Sequence, residues 1–129
     1  MLGRKPTVKV FLADDSALIR DRVAQILSAD AMTVVGQAET PQDSIDGILA
    51  VRPDVVVLDV QLEGGTGLQV LRAVRQVDPG IAFVVFSNNV GPAYRKRYLS
   101  AGVERFLDKS SESDQLAQAV ATASLHALH

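Results

Sequence analysis

"VVVLDVQL", residues 55–62, closes an apolar Val/Leu run on a carboxylate, Asp59. A carboxylate stripped of water without a partner costs at least about 2 kcal/mol. Asp59 is therefore expected at the polar end of a strand and beside a cation, not in mid-core. Outward from this stretch stand four more short runs: "VKVFLA" (8–13), "TVVGQA" (33–38), "IAFVVFS" (81–87) and "ERFLD" (104–108), with "DVVVLD" (54–59) in their midst. Several are continuous rather than alternating, as in strands buried on both faces of a parallel sheet.

The segments between them have helical spacing. Ile19, Val23, Ile26 and Leu27 share one face, and Ile45, Ile48 and Leu49 share another. "TPQD" (40–43) opens the second helix with a capping Thr40, Pro41 at the first turn and Asp43 at the positive end. Val70, Leu71 and Val74 mark the third helix, which "DPG" (78–80) stops. The fourth runs from Gly91-Pro92 toward Gly102 with Tyr94 and Tyr98 one turn apart; the fifth starts in "SSESD" and carries Leu116, Val120 and Ala123. Strand and helix alternate five times. This predicts an α/β fold, a doubly wound five-stranded parallel sheet flanked by five helices, as one domain over residues 1–129.

Composition narrows the function. The chain has 129 residues, 47% apolar and 22% charged, with a net charge of −2. That balance offers no basic footprint for direct nucleic acid binding and no polybasic membrane signal. The absence of cysteine excludes disulfides and thiolate metal sites. "MLGRKPTVKVFLADD" does not read as a signal peptide, and no run is long enough to span a bilayer. A cytoplasmic location is expected.

In such a fold, sites form at the carboxyl ends of the strands. The first run ends in Asp14-Asp15, the third in Asp59, the fourth in Ser87-Asn88-Asn89 and the fifth in Asp108-Lys109-Ser110. Parallel strands would gather these at one edge. Acids that close repel one another unless a cation joins them. Hard oxygens without His or Cys suit Mg²⁺. With Lys109 and the Ser87 hydroxyl near, the set is suited to phosphoryl transfer, with Asp59 as an attacking carboxylate. Singly, each of these acids reads as a solvated turn residue or a helix cap; their convergence is the signal.

These pieces resemble the receiver domain of bacterial two-component response regulators, which has the flavodoxin-like fold. The resemblance is carried by "VFLADDSALIR" (10–20), "PDVVVLDVQLEGGTGLQVLRAVR" (53–75), "VVFSNN" (84–89) and "AGVERFLDKS" (101–110), in matching order and separation. It implies that Asp59 is the phosphoryl acceptor, and that Asp14, Asp15, Asp59 and the carbonyl of Gln61 hold Mg²⁺, Asp15 directly and Asp14 largely through water. It implies further that Ser87 and Lys109 engage the phosphoryl group, that Gln61 and Asn89 tune its hydrolysis, and that Phe106 is the aromatic switch. The donor would be a phosphohistidine on a sensor histidine kinase or phosphotransfer protein. On this reading Ser87 moves toward the phosphoryl group and Phe106 rotates inward behind it. That remodels the face of the fourth helix, fifth strand and fifth helix, where Tyr94 and Tyr98 are expected and where a downstream partner or a second copy would bind as a homodimer.

Departures from the family pattern are Glu63 in place of a usual Pro, and Ser110 in place of the Pro that follows the lysine with a cis bond before it. A cis bond before a non-proline costs about 2.5–4 kcal/mol. Two other functions compete. A Mg²⁺-dependent aspartyl-phosphate phosphatase of the haloacid dehalogenase type needs a second Asp where Gln61 stands. A phosphorylation-independent interaction module would have lost an acid or the lysine, and both are kept. "YRKRY" (94–98) reads as a solvated basic helix, because neighbouring helical side chains diverge by about 100°. His126 and His129 are expected to be exposed and without a metal role.

Overall fold

The computed structural model describes residues 7–127. The five expected strands form one parallel sheet in the order β2-β1-β3-β6-β7. They are β1 (Lys9–Ala13), β2 (Thr33–Ala38), β3 (Val55–Leu58), β6 (Ala82–Ser87) and β7 (Arg105–Asp108). The helices are α1 (Ala17–Ala29), α2 (Pro41–Val51), α3 (Gly67–Val77), α4 (Pro92–Ser100) and α5 (Leu116–Ser124). This is the expected doubly wound, flavodoxin-like arrangement. Two boundaries move. Asp59 lies one residue past β3, and α5 starts at Leu116 behind a single 3-10 turn, Ser113–Gln115.

The continuous apolar runs are explained by two cores, one on each face of the sheet. Side chains alternate across a strand. In β3, Val56 and Leu58 join the core under α2, α3 and α4, while Val55 and Val57 join the core under α1 and α5. In β1, Phe11 and Ala13 face the first core, Val10 and Leu12 the second. Helix starts follow their capping chemistry. Thr40 Oγ1 accepts from the Asp43 amide at 3.1 Å, and Thr66 and Gln69 form a reciprocal capping box at the start of α3.

A two-stranded antiparallel ribbon, β4 (Gln61–Leu62) with β5 (Gly65–Thr66), was not legible in the sequence. It turns at Gly64, whose φ of 82° is open chiefly to glycine. The ribbon leads the chain from Asp59 to α3 and leaves Glu63 exposed at its tip. Among the described residues, no helix is long and apolar enough to cross a membrane.

Candidate functional site

β1 and β3 are neighbours in register, with Ala13 opposite Leu58. Asp14 and Asp59 therefore emerge side by side at the end of the sheet. Both are buried, at 6% and 8% exposure, while Asp15 is exposed beside them. The three carboxyl groups each present an oxygen within 4.8 Å of the others. Local backbone fixes two of them. The Ser16 amide donates to Asp14 Oδ1 at 2.9 Å, and the Val60 amide donates to Asp59 Oδ1 at 2.7 Å.

The fixed positive charge beside Asp59 is Lys109. It follows β7, two strands away from β3, and its Nζ lies 2.8 Å from Asp59 Oδ2 and 2.6 Å from Asp14 Oδ2. Burial alone would lower the lysine pKa, but hydrogen bonds to Asp14 and Asp59 and their charges carry it above the ordinary value. Burial pushes the Asp14 carboxyl above its ordinary value, against the opposing bonds from Lys109 and the Ser16 amide. The side-chain donors are convergent carboxylates free of His and Cys, which fits Mg²⁺.

Ser87 ends β6 fully buried. Its Oγ accepts from the Asn89 amide at 3.1 Å, and its carbonyl accepts from the Lys109 amide at 3.0 Å. Asn89 is half-buried in the loop that follows, and Gln61 is exposed at the start of β4. Gly67 packs its bare Cα against the Asp59 carbonyl, where a Cβ would collide.

The Lys109–Ser110 segment has no cis bond. Its turn is built from side chains instead. Asp108 Oδ1 accepts from the Ser110 amide at 2.8 Å and from the Ser110 hydroxyl at 2.7 Å. These bonds hold the Asp108 carboxyl below the usual range. Glu112 closes the turn by accepting from the Asp108 amide at 3.0 Å.

Packing places three neighbouring groups around β7 and α4. Phe106 is buried in this structure, at 2% exposure, edge-on to Tyr98 with ring centroids 6.0 Å apart. Tyr98, expected on the surface beside Tyr94, is instead turned into the core. It is equally buried, and its hydroxyl donates to the Val60 carbonyl at 3.4 Å; only Tyr94 is exposed. The basic run of α4 is exposed as expected at Lys96 and Arg97, while Arg95 is partly covered. Arg95 Nη1 donates to the Phe106 carbonyl at 3.0 Å, its guanidinium lies 5.1 Å from the Phe106 ring, and Nη2 stands 3.8 Å from Glu112. Packing decides these, since a long apolar-stemmed arginine covers a ring that helical spacing alone left open. His126 is exposed, 3.3 Å from Glu104; His129 lies outside the described residues.

One supporting residue went unnoticed in the sequence. Arg20, one turn past the α1 cap Ser16, is largely buried and donates to the Asp14 carbonyl (2.5 Å), Gln37 (3.1 Å) and Glu39 (3.1 Å). It ties the acidic turn to β2 and the loop beyond. The signal was its position on the first turn of α1, at the strand-end edge of the fold.

Comparison with known proteins agrees with this fold. The response regulator receiver domain family matches residues 10–121. The transcriptional regulatory protein DesR of Bacillus subtilis is 32% identical over 114 residues, covering 88% of this chain and 56% of its own length. The signal receiver domain of a NarL response regulator from Mycobacterium tuberculosis superposes with a TM-score of 0.84 at 31% identity, over 94% of this chain and 98% of that one. A LuxR-family two-component response regulator from Aurantimonas sp. SI85-9A1 reaches a TM-score of 0.87 at 26% identity, over 93% and 86%. The chain spans about half the length of DesR, 56%.

Proposed function

Since the chain belongs to the response regulator receiver domain family, we propose that it is a phosphorylation-controlled switch in a phosphorelay, accepting a phosphoryl group on Asp59. The observation that carries this reading is the Lys109 ammonium bonded to two buried carboxylates at the ends of adjacent strands, 2.6 and 2.8 Å away. A lone solvated acid at a strand end needs no such partner.

The Asp59 carboxylate, held beside the Lys109 ammonium, attacks phosphorus. As it bonds, the phosphorus–nitrogen bond to a donor phosphohistidine breaks and an acyl phosphate forms. The donor belongs to a sensor histidine kinase or phosphotransfer protein. Bound Mg²⁺, held by Asp14, Asp15, Asp59 and the Gln61 carbonyl, would supply charge neutralisation for the incoming phosphoryl oxygens. Lys109 then exchanges a carboxylate partner for a phosphoryl oxygen, and the Ser87 hydroxyl leaves the Asn89 amide to donate to another. Gln61 and Asn89, at the rim, bear on the approach of hydrolytic water. The readout passes through β7 to the face of α4, β7 and α5, where a downstream protein or a second copy binds, and the switch works in the cytoplasm.

Acetyl phosphate with Mg²⁺ is expected to add one phosphoryl group by intact mass, and Asp59→Asn, which keeps the shape and removes the nucleophile, to abolish it. Undiminished labelling of that variant would exclude Asp59 as acceptor.

A further inference from the structure

A groove of about 240 Å³ opens between the start of α3 and α4, lined by Val60, Thr66, Leu68, Tyr94, Arg97 and Tyr98. Its floor is apolar: Val60, Leu68 and Tyr98 are buried, and Tyr94 stands 45% exposed at the mouth. The volume falls below the about 300–1,000 Å³ usual for small-molecule sites, but it suits one large side chain of a docking segment.

Charge sets what that segment carries. α3 and α4 hold Arg72, Arg75, Arg95, Lys96 and Arg97 and not one Asp or Glu, in a chain whose net charge is −2. Two of these charges are engaged internally. Arg75 donates to the Gly102 carbonyl, and Arg95 serves Phe106 and Glu112. Arg97 lines the groove, and Arg72 lies one turn beyond Leu68 on the same face of α3. One cation on the groove, Arg97, with Arg72 a turn along α3, makes this single-residue apolar notch complementary to an acidic peptide with one bulky apolar anchor. A nucleic acid backbone would need a wider basic footprint than these few cations provide.

The geometry points to the α3–α4 groove as a docking site for an acidic, apolar-anchored segment of a partner protein. The anchor would rest on Tyr98, whose hydroxyl meets the carbonyl of the residue after Asp59 and whose ring meets Phe106. The groove shares α4 with the α4–β7–α5 face but opens on its α3 side, and it does not depend on Asp59 accepting a phosphoryl group.

The test titrates the ¹⁵N-labelled full chain with a short peptide bearing a single Phe between acidic residues. Parallel titrations use the same peptide with lysine at the acidic positions and a single-stranded oligonucleotide. Shifts are expected at Leu68, Tyr94, Arg97 and Tyr98 with the acidic peptide alone. Arg97→Glu is expected to weaken binding at least about tenfold through like-charge repulsion. No shift at these residues, equal binding of the lysine peptide, or displacement by the oligonucleotide would overturn the proposal. Acetyl phosphate labelling of Arg97→Glu is run alongside. Lost docking with intact labelling is the expected result, and it separates this site from the phosphoacceptor reading.

Discussion

Lys109 stands between two carboxylates that would otherwise repel each other. Removing one member of a buried charged set leaves the rest uncompensated, so Lys109→Met is expected to cost about 3 kcal/mol at pH 7. Adding Asp14→Asn should return much of that loss, because Asp59 is then the only ionised acid left buried there. The pH dependence has a definite sign. The folded pKa of Asp14 is raised, so the folded state holds its proton above 3.8, and stability falls as pH rises through the folded value. The deficit of Lys109→Met should therefore shrink on acidification toward the carboxylate range. In the wild type, the raised lysine pKa makes the Lys109 contribution complete below 10.5 and lost only above it. Urea melts of the two variants at neutral and mildly acidic pH check all of this. A deficit that is independent of pH would contradict it.

At the scale of elements, two contacts decide how helices sit on the sheet. The Phe11 ring lies between Gly36 of β2 and Gly47 of α2; a Cβ at either would come within 2.7 or 2.8 Å of it. Gly→Ala inside a helix ordinarily gains up to about 1 kcal/mol. Here overpacking is expected to win, and Gly47→Ala should cost about 1–3 kcal/mol. Phe11→Leu in the same chain should relieve part of it, and thermal melts of the two singles and the double read the coupling. The second contact is Arg95, which joins α4 to β7 and to the turn after Lys109. Arg95→Ala should lose about 0.5–2 kcal/mol of cation–π attraction and free the Phe106 carbonyl. Faster amide exchange over residues 104–112 is the expected readout. Unchanged protection there would mean that Phe106 is held by its core neighbours alone.

Across the molecule, the site and the α4–β7–α5 face share one strand, β7, with Phe106 and Lys109 three residues apart. A phosphoryl group shifts this network only by its differential interaction with two states. With Phe106 already buried and clamped, a large rearrangement has little left to gain. Beryllofluoride with Mg²⁺ is expected to move backbone resonances over residues 87–110 while the Phe106 ring keeps its contacts with Tyr98. Perturbations confined to the loop after Asp59, or an outward Phe106 ring, would show that the signal does not leave through β7.

What the sequence determined by itself is local and periodic. Apolar runs set the strands, helical spacing and caps such as Thr40 set the helices, and polar residues at the ends of the runs set which acids could meet. These signals survive in sequence because a strand's two-residue period and a helix's 3.6-residue period depend on neighbours along the chain. The tertiary structure alone decided the rest. Lys109 bridges Asp14 and Asp59 because β7, β6, β3 and β1 lie in that order. The β4–β5 ribbon is two residues per strand, too short to leave a period. The inward Phe106, the buried Tyr98, and the parts played by Arg20 and Arg95 follow from what distant segments press against them. A side chain's direction is chosen by packing and by the partners that satisfy its charge, and those arrive only when the sheet has closed.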